Sequence, residues 1–297
     1  MDSRLNDFLA RAESVLARLE PLLPALRAPI DWQACLAARW HRDGRSGYLQ
    51  PLEVSLELRL DDLLGVDKQR DQLARNTRQF VAGQPANHAL LWGARGTGKS
   101  SLVRALLAEL AGDGLRLIEI ERDHLADLPR VVEHLQGQPQ RFVLFCDDLS
   151  FDAGEGDYRV LKSVLDGSLE QAPDNVLLYA TSNRRHLVSE KQSDNENWQM
   201  VDGELHPNEA VEDKIALSDR FGLWLSFYPF TQEHFLSVVR HWVDVLAAKS
   251  GLAFHWDEAL EKEAIRWALG RGNRNGRCAY QFARYWVGRQ LLEGETP

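Results

Sequence analysis

At 297 residues and 44% apolar content, the chain is long enough for one large α/β unit with smaller helical parts around a full core. A formal charge of −9 opposes an unspecific grip on nucleic acid or anionic membrane over the whole surface, and leaves only a local basic patch open. Cys35, Cys146 and Cys278 lie far apart without a CxxC pair, so they read as small buried residues of a reducing compartment.

The N-terminus mixes Asp2, Asp7, Glu13 and Glu20 into its apolar residues, which leaves no signal-peptide core, and no run is long enough to span a bilayer. The expected location is cytoplasmic. Leu5, Phe8, Leu9, Ala12, Val15, Leu16 and Leu19 recur at helical steps and predict an amphipathic helix whose stripe packs on the body or on a partner. Pro21, Pro24 and Pro29 end that pattern. Residues 1–54 read as a helical N-terminal segment. Near its end Arg39, Arg42 and Arg45 alternate with Trp40 and Tyr48, a mixture that serves nucleic-acid stacking in some proteins and reads here first as core packing.

Residues 55–228 alternate short apolar strands, at 88–92, 115–121, 141–146, 176–181 and 223–227, with helical patterns. That order predicts an α/β domain with a five-stranded parallel, doubly wound sheet and a ligand at the carboxyl ends of its strands. Between the first strand and the helix after it runs GxxxxGKS. Gly93, Gly96 and Gly98 let the backbone turn its amides around an anion, with Ala94, Arg95, Thr97 and Ser101 completing the loop. Lys99 is expected to reach the β- and γ-phosphates of a nucleoside triphosphate, and Ser100 to offer its hydroxyl to Mg²⁺.

The strand at 141–146 ends in Asp147 and Asp148, about 48 residues after Lys99. Its chemistry suits Asp147 as a Mg²⁺ ligand and Asp148 as the residue that orients or deprotonates the attacking water. Asn183, at the tip of the next strand, is placed to hold that water or the γ-phosphate, and also suits a helix cap. Arg184 and Arg185 follow without a preferred role. Residues 184–216 form a long polar connection of the kind that binds partners, and ordering of this segment on assembly is expected. Arg220, just before the last strand, stands where an arginine finger would enter a neighbouring subunit; a surface pair with Asp219 or Asp213 is the alternative.

Residues 229–297 read as a small all-helical domain, with helices at 232–248, 258–269 (capped by Asp257) and 277–292. Arg277, with Arg274 second, is the candidate for touching the γ-phosphate from this domain. Trp224, Trp242, Trp256, Trp267 and Trp286 are expected to wedge these helices together and against the sheet.

Taken in order, the phosphate loop, the paired acids, Asn183, the SDRFG finger and the GR helix resemble the AAA+ ATPases. The finer wording at residues 47–51, 63–70, 85–103, 141–151, 179–187, 203–207 and 218–230 resembles an uncharacterised bacterial AAA+ family filed under a domain of unknown function. The resemblance implies ATP and Mg²⁺ as ligands, assembly as a ring or filament with Arg220 acting in trans, and Leu64, Gly65 and Val66 as contacts to the adenine. Asp148 departs from the commoner Glu, which implies slow turnover. Residues 122–140 lack the aromatic pore loop of threading unfoldases, so the expected function is an oligomeric ATPase that switches or remodels a partner complex. A DNA-associated loader or helicase accessory, and a P-loop small-molecule kinase, remain as alternatives.

Overall fold

The computed structural model describes residues 2–19, 28–44, 46–149, 161, 165, 173–183, 199–201, 204–206 and 219–294. The chain clusters into two compact units, residues 1–31 and 32–297. The first holds helix α1 (Asp2–Leu19), on which Phe8, Leu9 and Val15 are exposed.

The second unit is built on a sheet of seven strands: β1 (Ala37–Asp43), β2 (Ser46–Leu52), β3 (Ala89–Gly93), β4 (Leu115–Glu119), β5 (Arg141–Cys146), β6 (Val176–Ser182) and β9 (Leu223–Phe227). Their order is β2-β1-β4-β5-β6-β3-β9, and every neighbouring pair is parallel except β1 with β2. Strands β7 (Gln199–Val201) and β8 (Glu204–His206) form a separate antiparallel ribbon. They are the described part of the long connection; Arg184, Arg185 and the rest of it lie outside the described residues.

The expected five strands are all present, and the expectation of a helical N-terminal segment over residues 1–54 is met by α1 and corrected at residues 37–52, a hairpin that extends the sheet past β4. Its basic residues hid it. Arg39 donates from Nε and Nη2 to Glu119 Oε2 at 3.1 and 2.8 Å, so its charge is matched by the neighbouring strand. Trp40 is buried and donates Nε1–H to Asp127 Oδ2 at 3.2 Å, while Tyr48 stacks on His41; both aromatics serve packing. Gly47 leaves the space this Trp needs, since a Cβ there would lie 2.0 Å from its ring.

Helices α2 (Asp67–Val81) and α3 (Lys99–Leu110) share one core with alternate residues of the central strands, among them Leu91, Val143, Phe145, Leu177 and Tyr179. Because side chains alternate along a strand, the other set, including Leu90, Phe142, Leu144 and Leu178, is buried on the opposite face. The chain reaches α4 (Leu128–Leu135) through a 3₁₀ turn at Arg122–Asp127.

After β9 come α5 (Gln232–Ser250), α6 (Glu258–Arg271) and α7 (Gly276–Gly294). Thr231 caps α5 by accepting from the His234 amide, and Asp257 caps α6 by accepting from the Leu260 amide at 2.9 Å, as its sequence position predicts. These helices have their own core, centred on Phe235, Val239, Ala264 and Phe282, with Trp242, Trp256 and Trp267 packed against it and Trp286 within it. Arg289 joins α7 to α6 through two hydrogen bonds to Glu263, at 2.7 and 2.9 Å.

Candidate functional site

The glycine loop closes between β3 and α3. Gly93, Gly96 and Gly98 all have positive φ, at 132°, 74° and 101°, where a side chain would be strained. At Gly93 a Cβ would also lie 2.0 Å from the Phe227 carbonyl oxygen, so β9 packs against the loop through this absence. Gly98 offers no side chain to cap α3, which leaves the amides of its first turn for an anionic ligand. Thr97 Oγ1 donates to the Ala94 carbonyl at 2.8 Å and fixes the loop's curve.

Lys99 is buried, and its ammonium donates to the carbonyls of Gly93 and Ala94, each at 2.8 Å, and to Asn183 Oδ1 at 3.2 Å. Burial lowers its pKa, and Asp147 and Asp148 partly restore it. Ser100, one residue on, donates Oγ–H to Asp147 Oδ1 at 2.6 Å. Strand alternation brings Asp147 to the face that carries Val143 and Phe145, and Asn183 to the face that carries Leu177 and Tyr179; both are the face packed by α3.

Thr181 ties the two strand ends together and had escaped the sequence reading. Its hydroxyl donates to Asp147 Oδ1 at 2.6 Å and accepts from the Asp148 amide at 2.9 Å, while its carbonyl accepts from Leu149. The signal was available: Thr181 and Ser182 are buried polar residues at the end of an otherwise apolar strand. Asp148 is, among the described residues, the one non-glycine with positive φ, at 57°. Its carboxylate accepts from Asn183 Nδ2, and Arg95 stands 3.8 Å away. Asn183 therefore bridges Lys99 and Asp148. Ser100 and Asp147 offer oxygen donors alone, a set that suits a hard divalent cation such as Mg²⁺.

The helical part closes the site from the other side. The Gly276 amide donates to the Gly96 carbonyl at 2.8 Å, and Asn275 donates Nδ2–H to the Arg95 carbonyl at 3.2 Å while its Oδ1 caps α7 through the Cys278 amide. Leu64 packs on the helical core, and its carbonyl pairs with His234 Nε2 at 2.9 Å; Val66 is buried in the α/β core. Gly65 has φ 70°, and a Cβ there would lie 2.1 Å from His234 Nε2. His234 in turn stacks on Phe230, with ring centroids 3.9 Å apart. Phe230 and His234 were missed, because nothing in their local pattern distinguishes them from ordinary residues at a helix start.

A family model described as "Protein of unknown function (DUF815)" matches residues 33–290. The chain belongs to this family. No curated protein matches it. Among solved structures, this DUF815 protein is similar to Orc1 of Aeropyrum pernix in complex with DNA, at 16% identity and a TM-score of 0.53, covering 79% of this chain and 65% of that one. It is also similar to a mutant of Thermotoga maritima RuvB, at 16% identity and a TM-score of 0.51, covering 76% of this chain and 64% of that one. The chain thus spans a little under two thirds of these structures' own length. Strand order and structural likeness together show the AAA+ type of P-loop fold.

In the DUF815 chain the remaining candidates lie at or just before the starts of β9, α7 and α3. Arg220 is half-buried just before edge strand β9. Arg277 is exposed in the first turn of α7, beside the Gly276 contact to the loop, and Arg274 is exposed in the turn before it. Ser101 is half-buried in the first turn of α3. Among the described residues no helix is long and apolar enough to cross a membrane.

Proposed function

We propose that the protein binds and hydrolyses ATP, and that it does so in an oligomer whose conformational change switches or remodels a partner complex. The observation that carries this reading is the convergence of Lys99, Ser100, Asp147, Asp148 and Asn183 behind a glycine loop. On this reading the loop amides and Lys99 hold the triphosphate, with Leu64, Gly65 and Val66 against the base. Ser100 and Asp147 hold Mg²⁺, which neutralises charge on the phosphates when bound. Thr181 fixes the Asp147 carboxylate. Asp148 takes the proton of the attacking water, and Asn183 keeps that carboxylate in register with Lys99. Arg277 contacts the nucleotide from the helical part.

Arg220 completes a neighbour's site in this proposal, so specific activity should rise with protein concentration. Arg220→Ala should remove both that rise and about 10³-fold or more of the rate, while Asp148→Asn should keep ATP affinity and lose about 10²- to 10⁴-fold in turnover. Steady-state phosphate release across a concentration series checks both. A rate independent of concentration and equal in the Arg220 variant defeats the oligomeric reading, and points to a kinase or other single-chain chemistry. A second reading, an ATPase tied to nucleic acid, is favoured by one observation, the run of arginines on the last helix.

A further inference from the structure

Between Ala264 and Leu292 the chain carries Arg266, Arg271, Arg274, Arg277, Arg284 and Arg289 and not one Asp or Glu, although the whole protein is acidic at −9. The structure sorts this run. On α7, Cys278, Phe282, Ala283 and Trp286 are buried in the helical core, so the opposite face is turned to solvent. Arg277, Gln281, Arg284 and Gly288 recur along the middle of that face and are all exposed. From Arg277 to Gly288 the stripe runs about 16 Å at the helical rise.

Tyrosines flank it. Tyr280 is 37% and Tyr285 47% exposed, one on either side of the arginine stripe. Tyr280 is braced edge-on by Trp242 at 4.9 Å, and Tyr285 stacks on Trp267 at 4.7 Å. Arg271 lies over the same Trp267 ring at 3.6 Å and extends the basic face onto the end of α6. Two carboxylates of α6 are engaged elsewhere, Glu263 by Arg289 and Glu261 by Trp256. Among the described residues none of Arg271, Arg277 or Arg284 is in a salt bridge.

We propose that this face of α7 binds single-stranded nucleic acid, with Arg284 and Arg271 on the phosphates and the braced tyrosines against bases, Arg277 being left to the nucleotide. Guanidinium groups spaced along a helix match a polyanion. The T-shaped contact with Trp242 holds the Tyr280 ring and the stack on Trp267 takes one face of Tyr285, so both exposed rings are rigid, as stacking on unpaired bases requires; a duplex offers no such bases. An acidic protein surface would satisfy the charges and leave the aromatic flanks without a purpose. Charge is local here, so the overall acidity limits the contact to this strip. Because Arg277 adjoins the glycine loop, a bound strand would end at the junction between loop and helical part. The proposal concerns the partner, and stands whether or not the protein hydrolyses ATP.

The test is fluorescence anisotropy of a labelled oligothymidylate with the full chain in the absence of nucleotide, over a salt series. Two phosphate contacts predict a slope of about −1.4 in log affinity against log salt. Arg284→Glu should weaken binding at least about tenfold and flatten the slope by about 0.7. Tyr280→Ala should weaken it about tenfold at unchanged slope. Affinity for an ATP analogue should be unchanged in both variants, which separates this proposal from the ATPase reading. Absence of binding at low salt, variants equal to the parent chain, or displacement by polyglutamate as effective as by unlabelled oligothymidylate would overturn it.

Discussion

His88 sits just before β3 with its Nδ1 accepting the Leu178 amide at 3.0 Å, a bond that only the unprotonated nitrogen can make. Burial pushes its pKa down to about 4, from an ordinary value of 6.5. The unfolded chain therefore takes up a proton before the folded one does. Stability from this group is whole above about pH 6.5 and is lost as pH falls toward 4, by about 3 kcal/mol in total. His88→Asn keeps an acceptor near the same place without titrating, and should flatten that part of the stability curve in urea denaturation at pH 4 to 7. At the same scale, Asp148 occupies a left-handed conformation that a short polar side chain tolerates better than most.

Helix α2 is fastened to the middle of the sheet by a buried polar cluster. Thr77 donates to the Leu73 carbonyl, so the Tyr179 hydroxyl donates to Thr77 Oγ1 and accepts from Asn76 Nδ2, at 2.9 and 3.0 Å. Asn76 also clasps Asn87 through both of its side-chain groups, fixing the turn that leads into β3 and the glycine loop. Tyr179→Phe deprives the Asn76 amide of a buried acceptor and should cost about 1 to 3 kcal/mol, measured as a lower denaturation midpoint at unchanged slope. The hairpin β1–β2 shows the same logic at the sheet's far side. Its Asp43–Gly44 pair, with Gly44 at φ 58°, was a readable turn signal, yet strand residues such as Arg39 and Arg42 masked the alternation.

For the whole molecule, the decisive contacts join the helical part to the phosphate loop. Asn275 both caps α7 and holds the Arg95 carbonyl, and Gly96 has no room for a side chain because Asn275 lies 2.6 Å from where its Cβ would be. Any movement of the helices is therefore felt at the loop. Asn275→Ala should speed amide exchange in the first turn of α7, cost about 1 kcal/mol, and lower affinity for an ATP analogue. Hydrogen exchange by mass spectrometry with parallel calorimetry checks it; unchanged exchange at Cys278 would mean that the cap does not hold the helix.

The α/β alternation, the phosphate loop and the strand-end acids are legible in the residues alone, because each is a local requirement: glycine for positive φ, an apolar run for a buried strand, a carboxylate at its polar tip. So are the Asp257 cap and the three helices that follow the sheet. That Thr181 positions Asp147, that Asn183 spans Lys99 and Asp148, that Phe230 and His234 back Gly65, and that a charged hairpin joins the sheet are products of the folded chain. Each of those depends on residues far apart in the chain meeting across strands or helices, and a partner brought by folding leaves no mark in the local pattern of either residue.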